Sequence, residues 1–141
     1  CAGLGKDGYI LAANGHQVTS SEENLLLYSL LSQAVEQINM PLKWQVLHTK
    51  AQELFQNEFE TIYLDPMFMT KSKAKPKQSM QIIQLIAQST PFQDWNMAYD
   101  AAKKRLVIKH DHKSPHVSSL PKPSFVVHSA KKSRFDVYIK A

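Results

Sequence analysis

Short apolar runs alternate along this chain with longer segments whose apolar residues recur at helical spacing, and that alternation leaves few architectures open. Tyr9-Ile10-Leu11-Ala12-Ala13 reads as the start of a helix stopped by Asn14-Gly15 as a left-handed cap. Val18 and Thr19 lie in a brief strand ending at Glu22-Glu23, and a leucine-rich helix is predicted over 24–38. Trp44, Val46 and Leu47 make the next strand, 51–55 a short helical or turn segment, and 62–64 a strand broken by Asp65-Pro66. A lysine loop and an apolar helix through Met80, Ile82, Ile83, Leu85 and Ile86 follow. A further helix is expected over 92–103, with Lys103, Lys104 and Arg105 as its charged end. Leu106-Val107-Ile108 is another strand, and strands at 125–127 and 135–139 close the chain as a hairpin. This pattern predicts an open, mostly parallel α/β sheet with one reversed strand near its carboxyl-terminal edge.

With 141 residues, the chain is expected to form a single domain over 1–141. Its 43% hydrophobic and 21% charged residues suit a soluble globular protein, and no apolar run approaches the roughly 18 residues that a membrane span needs. Cys1 is the sole cysteine, which excludes an internal disulfide and fits a reducing cytoplasm. A formal charge of +5 favours polyanionic partners, nucleic acid foremost.

Two motifs carry chemistry. Gly3-Leu4-Gly5-Lys6-Asp7-Gly8 is a glycine-rich turn, and Gly3 and Gly5 would let a nucleotide-like cofactor approach the backbone. In such a sheet the acidic residue ending the next strand, Glu22 or Glu23, can accept hydrogen bonds from ribose hydroxyls. A dinucleotide site or a plain tight turn are the other readings of these glycines. The second motif, Asp65-Pro66-Met67-Phe68, puts a carboxylate, a proline carbonyl and an aromatic ring at the exit of a short strand. Asp65 and the Pro66 carbonyl can accept hydrogen bonds from an exocyclic amine while Phe68 stacks on its base, an arrangement suited to methylation by an already activated sulfonium. The plainer alternatives are a turn-capping carboxylate and a core ring.

Lys71, Lys73, Lys75 and Lys77 follow this motif, where they could neutralise RNA phosphates; a solvated loop is the alternative. His110, His112 and His116 lack the carboxylate or cysteine spacing of a metal site, so they are expected in a solvated loop and no metal is expected. His48, at a strand end, reads as a hydrogen-bonded supporting residue.

Ala2-Gly3-Leu4-Gly5-Lys6-Asp7, Tyr63-Leu64-Asp65-Pro66-Met67-Phe68, Val107-Ile108-Lys109 and Arg134-Phe135-Asp136-Val137-Tyr138 together resemble the ribosomal small-subunit methyltransferase J family, in family order and across nearly the whole chain. The resemblance implies a Rossmann-like, S-adenosylmethionine-dependent enzyme that methylates the N2 amine of a guanosine in 16S rRNA, free or in the small ribosomal subunit, in the cytoplasm. It places cofactor contacts on Lys6 and Asp7, on Glu22 and Glu23, on Lys50 and Ala51, and on Asp65, and sets Lys109, an RNA contact, and the loop after it beside the substrate mouth. The family usually has arginine at Lys6, glutamate-arginine at Glu22-Glu23, two serines at Lys50-Ala51 and proline at Met69. It also has a first strand before the glycines, so the chain reads as a catalytic core lacking its amino-terminal part. A nicotinamide-dependent oxidoreductase and a catalytically inactive RNA-binding module are the rival functions.

Overall fold

A computed structural model describes residues 2–66, 91–129 and 133–141. The described chain divides into two compact units, one made of residues 2–54 and the other of 55–66, 91–129 and 133–141.

The first unit opens with helix α1, Lys6–Ala13, entered through Gly5 in the left-handed region at φ 73° and left through Asn14 and Gly15 at φ 88°. Strand β1, Val18–Glu22, leads into helix α2, Leu25–Glu36, and then strand β2, Trp44–His48. Asn24 caps α2 by accepting a hydrogen bond at its Oδ1 from the Leu27 amide at 3.1 Å, which satisfies a donor that the first helical turn leaves open. β1 and β2 are parallel, with Val18 beside Trp44 and Glu22 beside His48, so α2 is the crossover that a parallel pair requires. Leu27 and Leu31 of α2 are buried with Ala12 of α1. Trp44 packs against the bare faces of Gly5 and Gly8, and its indole N–H donates to Ser20 Oγ at 2.9 Å. A four-residue helix α3, Ala51–Leu54, follows β2.

The second unit contains strand β3, Phe59–Leu64, helix α4, Trp95–Ala101, and strands β4, Ala102–Asp111, β5, Phe125–His128, and β6, Ser133–Ile139. They form one sheet in the order β3-β4-β6-β5. β3 and β4 are parallel, while β6 runs against both β4 and β5. Three strands therefore point one way, and the reversed one sits a single place in from the edge, as the sequence predicts. The final two strands do pair as a hairpin. Ile62, Ala98, Ala102, Leu106, Ile108 and Tyr138 form the core, with Phe55, Phe92, Trp95 and Tyr99 packed around it. Trp95 meets Phe92 edge-on at 4.8 Å between ring centroids.

One expectation fails in this unit. The helix predicted over 92–103 ends at Ala101, and Lys103, Lys104 and Arg105 belong to β4 instead of a helix end. The competing signal is the two-residue alternation from Leu106 to His110, which extends the strand backward. Lys103 and Lys104 then find Glu58 at 2.5 Å and Glu60 at 2.7 Å on the neighbouring strand segment, cross-strand charge pairs that a helix would not have offered. The lysine loop and the apolar helix through Met80 lie outside the described residues.

Candidate active site

Gly3 and Gly5 both have positive φ, but for different reasons. A Cβ on Gly5 would collide with Leu31 and Trp44, so this glycine exists for packing and does not leave the open backbone expected of it. A Cβ on Gly3 would meet nothing within 4 Å, and its face remains open for close approach by a ligand. Lys6 and Asp7 occupy the first turn of α1, where the acidic side chain complements the helix dipole.

Glu22 ends β1 as the sequence predicts, but only 5% of it is exposed. One carboxylate oxygen accepts from the Gly3 amide at 3.2 Å and the other from the Asn24 amide at 3.0 Å. The carboxylate thus ties the glycine turn to the end of β1 and the start of α2, and each oxygen keeps acceptor capacity beyond its one backbone donor. Glu23 is exposed, and its carbonyl lies 3.1 Å from Nε2 of His48, whose ring stacks on Tyr28. Lys50 is exposed after β2, and Ala51 begins α3.

In the second unit, Asp65 and Pro66 leave the carboxyl end of β3, with Pro66 buried and Asp65 partly exposed. The register puts Leu64 beside Ile108, so the next residue of β4, Lys109, reaches Asp65, and its Nζ lies 2.7 Å from Asp65 Oδ2. Lys109 was expected at the RNA mouth; its ammonium contacts the proposed catalytic carboxylate. Phe68 and the lysines at 71, 73, 75 and 77 lie outside the described residues.

Sequence reasoning missed a buried charge cluster on β6. Asp136, fully buried, receives Arg134 Nε at 2.9 Å and His116 Nδ1 at 2.6 Å, and has His110 Nε2 3.2 Å away. The carboxylate can only accept, so Nδ1 of His116 is its protonated nitrogen. Burial pushes the Asp136 carboxyl up, but the bonds from Arg134 and His116, with the charges around it, outweigh burial and hold it below the ordinary carboxylate range. Burial pushes His110 below its ordinary value, against the pull of Asp136 and with a contribution from Arg134. Burial, with Asp136 adding to it, pushes the Tyr138 phenol up to about 12. The signal that could have revealed the cluster is Arg134 and Asp136 two apart in an otherwise apolar strand, both on its buried side. Among the described residues, no group of three or more histidine, cysteine or acidic side chains is arranged to hold a metal ion. No described helix is long and apolar enough to cross a membrane.

Residues 1–140 match the profile of a family described as "Putative SAM-dependent methyltransferase". The chain belongs to the SAM-dependent methyltransferase family. It is similar to ribosomal RNA small subunit methyltransferase J of Pseudoalteromonas translucida, 36% identical over 99% of this chain and 60% of that protein. The corresponding protein of Coxiella burnetii is 34% identical over 98% of this chain and 58% of the relative. The chain thus spans about three fifths of the length of the curated relatives it matches. A crystal structure of a SAM-dependent methyltransferase from Neisseria gonorrhoeae superposes with a TM-score of 0.69 at 26% identity, over 98% of this chain and 62% of that one. The fold is therefore the Rossmann-like methyltransferase fold that the sequence predicts, and the cofactor of the family is S-adenosylmethionine, which displaces the nicotinamide alternative.

The residues present fit that cofactor. The open face of Gly3 gives room for backbone approach, and the Glu22 carboxylate beside it has acceptor capacity beyond its two backbone donors, as ribose hydroxyls require.

Proposed function

We propose that residues 1–141 form the single-domain core of a methyltransferase that modifies the exocyclic N2 amine of a guanosine in small-subunit rRNA. The observation that carries this reading is the position of Asp65-Pro66 at the carboxyl end of β3, with Lys109 of the parallel neighbour held on the Asp65 carboxylate. In open α/β sheets, ligands meet the carboxyl ends of the strands. The names of the similar proteins support rRNA as the substrate class, and the formal charge of +5 suits a polyanion.

S-adenosylmethionine, when bound, supplies a methyl group already activated by the sulfonium, so the protein's task is placement more than activation. Gly3 admits the cofactor, and Glu22 and Glu23, Lys6 and Asp7, and Lys50 and Ala51 surround it. Asp65 and the Pro66 carbonyl accept hydrogen bonds from the guanine amine, which draws the nitrogen lone pair out of conjugation. Lys109 fixes one oxygen of Asp65, which narrows the rotamers available to the carboxylate. The nitrogen sheds a proton once methylated, and the partly exposed Asp65 carboxylate can pass it to water. Phe68 stacks on the base, which must be single-stranded or flipped to reach this position. Lys71, Lys73, Lys75 and Lys77 add sequence-independent phosphate contacts. Such a protein works in the cytoplasm, where ribosomal RNA is found.

The deciding experiment uses Asp65→Ala, with methyl transfer to small-subunit rRNA and RNA affinity measured side by side. Transfer is expected to vanish while most RNA binding survives. Equal loss of both would make Asp65 a structural residue and leave the RNA-binding module as the better reading.

A further inference from the structure

The turn that leaves β4 is held more firmly than an ordinary surface loop. Asp111 Oδ1 accepts from the Lys113 amide at 3.1 Å, and the Asp111 carbonyl accepts from the Ser114 amide at 3.0 Å. Arg134 Nη1 donates to the carbonyls of His112 at 3.3 Å and of Ser114 at 2.5 Å, so both residues flanking Lys113 are fastened to one buried guanidinium. Arg134 is itself bonded to Asp136, and His116 reaches back from the far side of the turn to the same carboxylate. Pro115, between Ser114 and His116, removes further backbone freedom. Lys113 is left exposed at the tip.

A buried ion pair is poor evidence of stabilisation, because well-packed apolar residues commonly do as well; its better-attested use is to fix one arrangement among several. Here the arrangement fixed is the turn. β3 and β4 run parallel, so the turn emerges at the same end of the sheet as Asp65-Pro66, and the Lys109 to Asp65 contact joins the two exits.

We propose that Lys113 is an RNA-phosphate contact, and that Asp136, Arg134 and His116 are positioning residues that hold its turn rigid beside the Asp65 end of the sheet. The proposal rests on the rRNA reading above. Ordering the turn before RNA arrives removes an entropic cost from binding. A contact with phosphate sets where the RNA backbone lies without reading its bases.

The test titrates the full protein with a fluorescein-labelled fragment of small-subunit rRNA across a range of salt concentrations. Lys113→Gln is expected to lower the salt slope by about 0.7, as for one single-strand phosphate contact, and to weaken binding about fivefold near 0.1 M salt. Lys104→Gln, at the opposite end of β4 and paired with Glu60, should leave the slope unchanged. His116→Ala should shrink the effect of Lys113→Gln, and His116→Asn, whose amide nitrogen can stand in for Nδ1, should restore it. S-adenosylhomocysteine affinity should be constant throughout, which a general structural defect would not leave so. An unchanged slope in Lys113→Gln, or independent losses in the double variants, overturns the proposal while the rRNA reading stands. A wild-type protein that fails to bind the fragment overturns both.

Discussion

The two units solve the same problem, holding a loop beside the end of a strand, with different materials. In the first, the glycine turn is held through backbone groups: Glu22 takes the amides of Gly3 and Asn24, and the flanking helix sits on Trp44 because Gly5 and Gly8 have no side chains. In the second, the loop after β4 is held by side-chain charge, with Arg134 and Asp136 buried beneath it. Their cores differ as well. Ala12, Leu27 and Leu31 are the buried apolar residues described in the first unit, while Leu25, Leu26 and Leu30 of α2 are exposed. The second buries Ile62, Ala98, Ala102, Leu106, Ile108, Val137 and Tyr138. Backbone anchoring leaves a surface that a cofactor can approach closely, whereas charge anchoring needs a well-filled core around it, since buried charges survive only when fully partnered.

The largest expected effect tests the charge anchor. Asp136→Ala leaves Arg134 buried without its carboxylate and should cost about 3–5 kcal/mol in denaturant unfolding. The double replacement Arg134→Met with Asp136→Leu should recover most of that stability, yet not the order of the 112–116 turn as read by hydrogen exchange. Recovery of both would erase the contrast between the units.

The backbone anchor should split by position. Gly5→Ala forces a methyl group onto Leu31 at positive φ and should cost about 3 kcal/mol of stability. Gly3→Ala, with open space around it, should cost only about 1 kcal/mol but weaken S-adenosylhomocysteine binding by calorimetry. Similar losses of stability at both glycines would mean that Gly3 also serves packing.

Acid should act on the second unit in two steps. His110 has a folded-state value below its ordinary one, so the unfolded chain binds the proton more readily and stability falls as pH drops through about 6.5. Asp136 contributes stability above the ordinary carboxylate value, and that contribution is lost as pH falls through its lower folded value. Thermal melts from pH 7 downward should show both losses, the earlier one absent in His110→Gln. The smallest effect belongs to Tyr138→Phe. The buried Tyr138 hydroxyl makes no hydrogen bond among the described residues, so its removal should be neutral or stabilise by up to about 1 kcal/mol. A clear loss on thermal unfolding would show that this hydroxyl has a partner after all.

Sequence was most informative where local chemistry decides the outcome. Asn14-Gly15 marked a helix end because capping is local, and Asp65-Pro66 marked the strand exit because proline restricts the residue before it. The strand alternation predicted the parallel pairs and the closing hairpin. Distance along the chain hid the rest. Lys103 and Lys104 read as a helix end because their partners, Glu58 and Glu60, lie far upstream in sequence. His110 and His116 looked like members of a solvated loop because the Asp136 that gathers them is on another strand. Gly5 carried the look of a cofactor glycine, but what it faces, Leu31 and Trp44, is settled only by packing.

The chain has two tryptophans, and each unit holds one. Trp44, on β2, packs against the glycine-bearing helix with its indole N–H on Ser20, and Trp95 sits at the aromatic edge of the larger core. Nature has in effect installed a separate optical probe in each half. Replacing either indole with phenylalanine would let emission from the other follow one half alone, so that cofactor arrival and the melting of each core become distinguishable signals in a single cuvette.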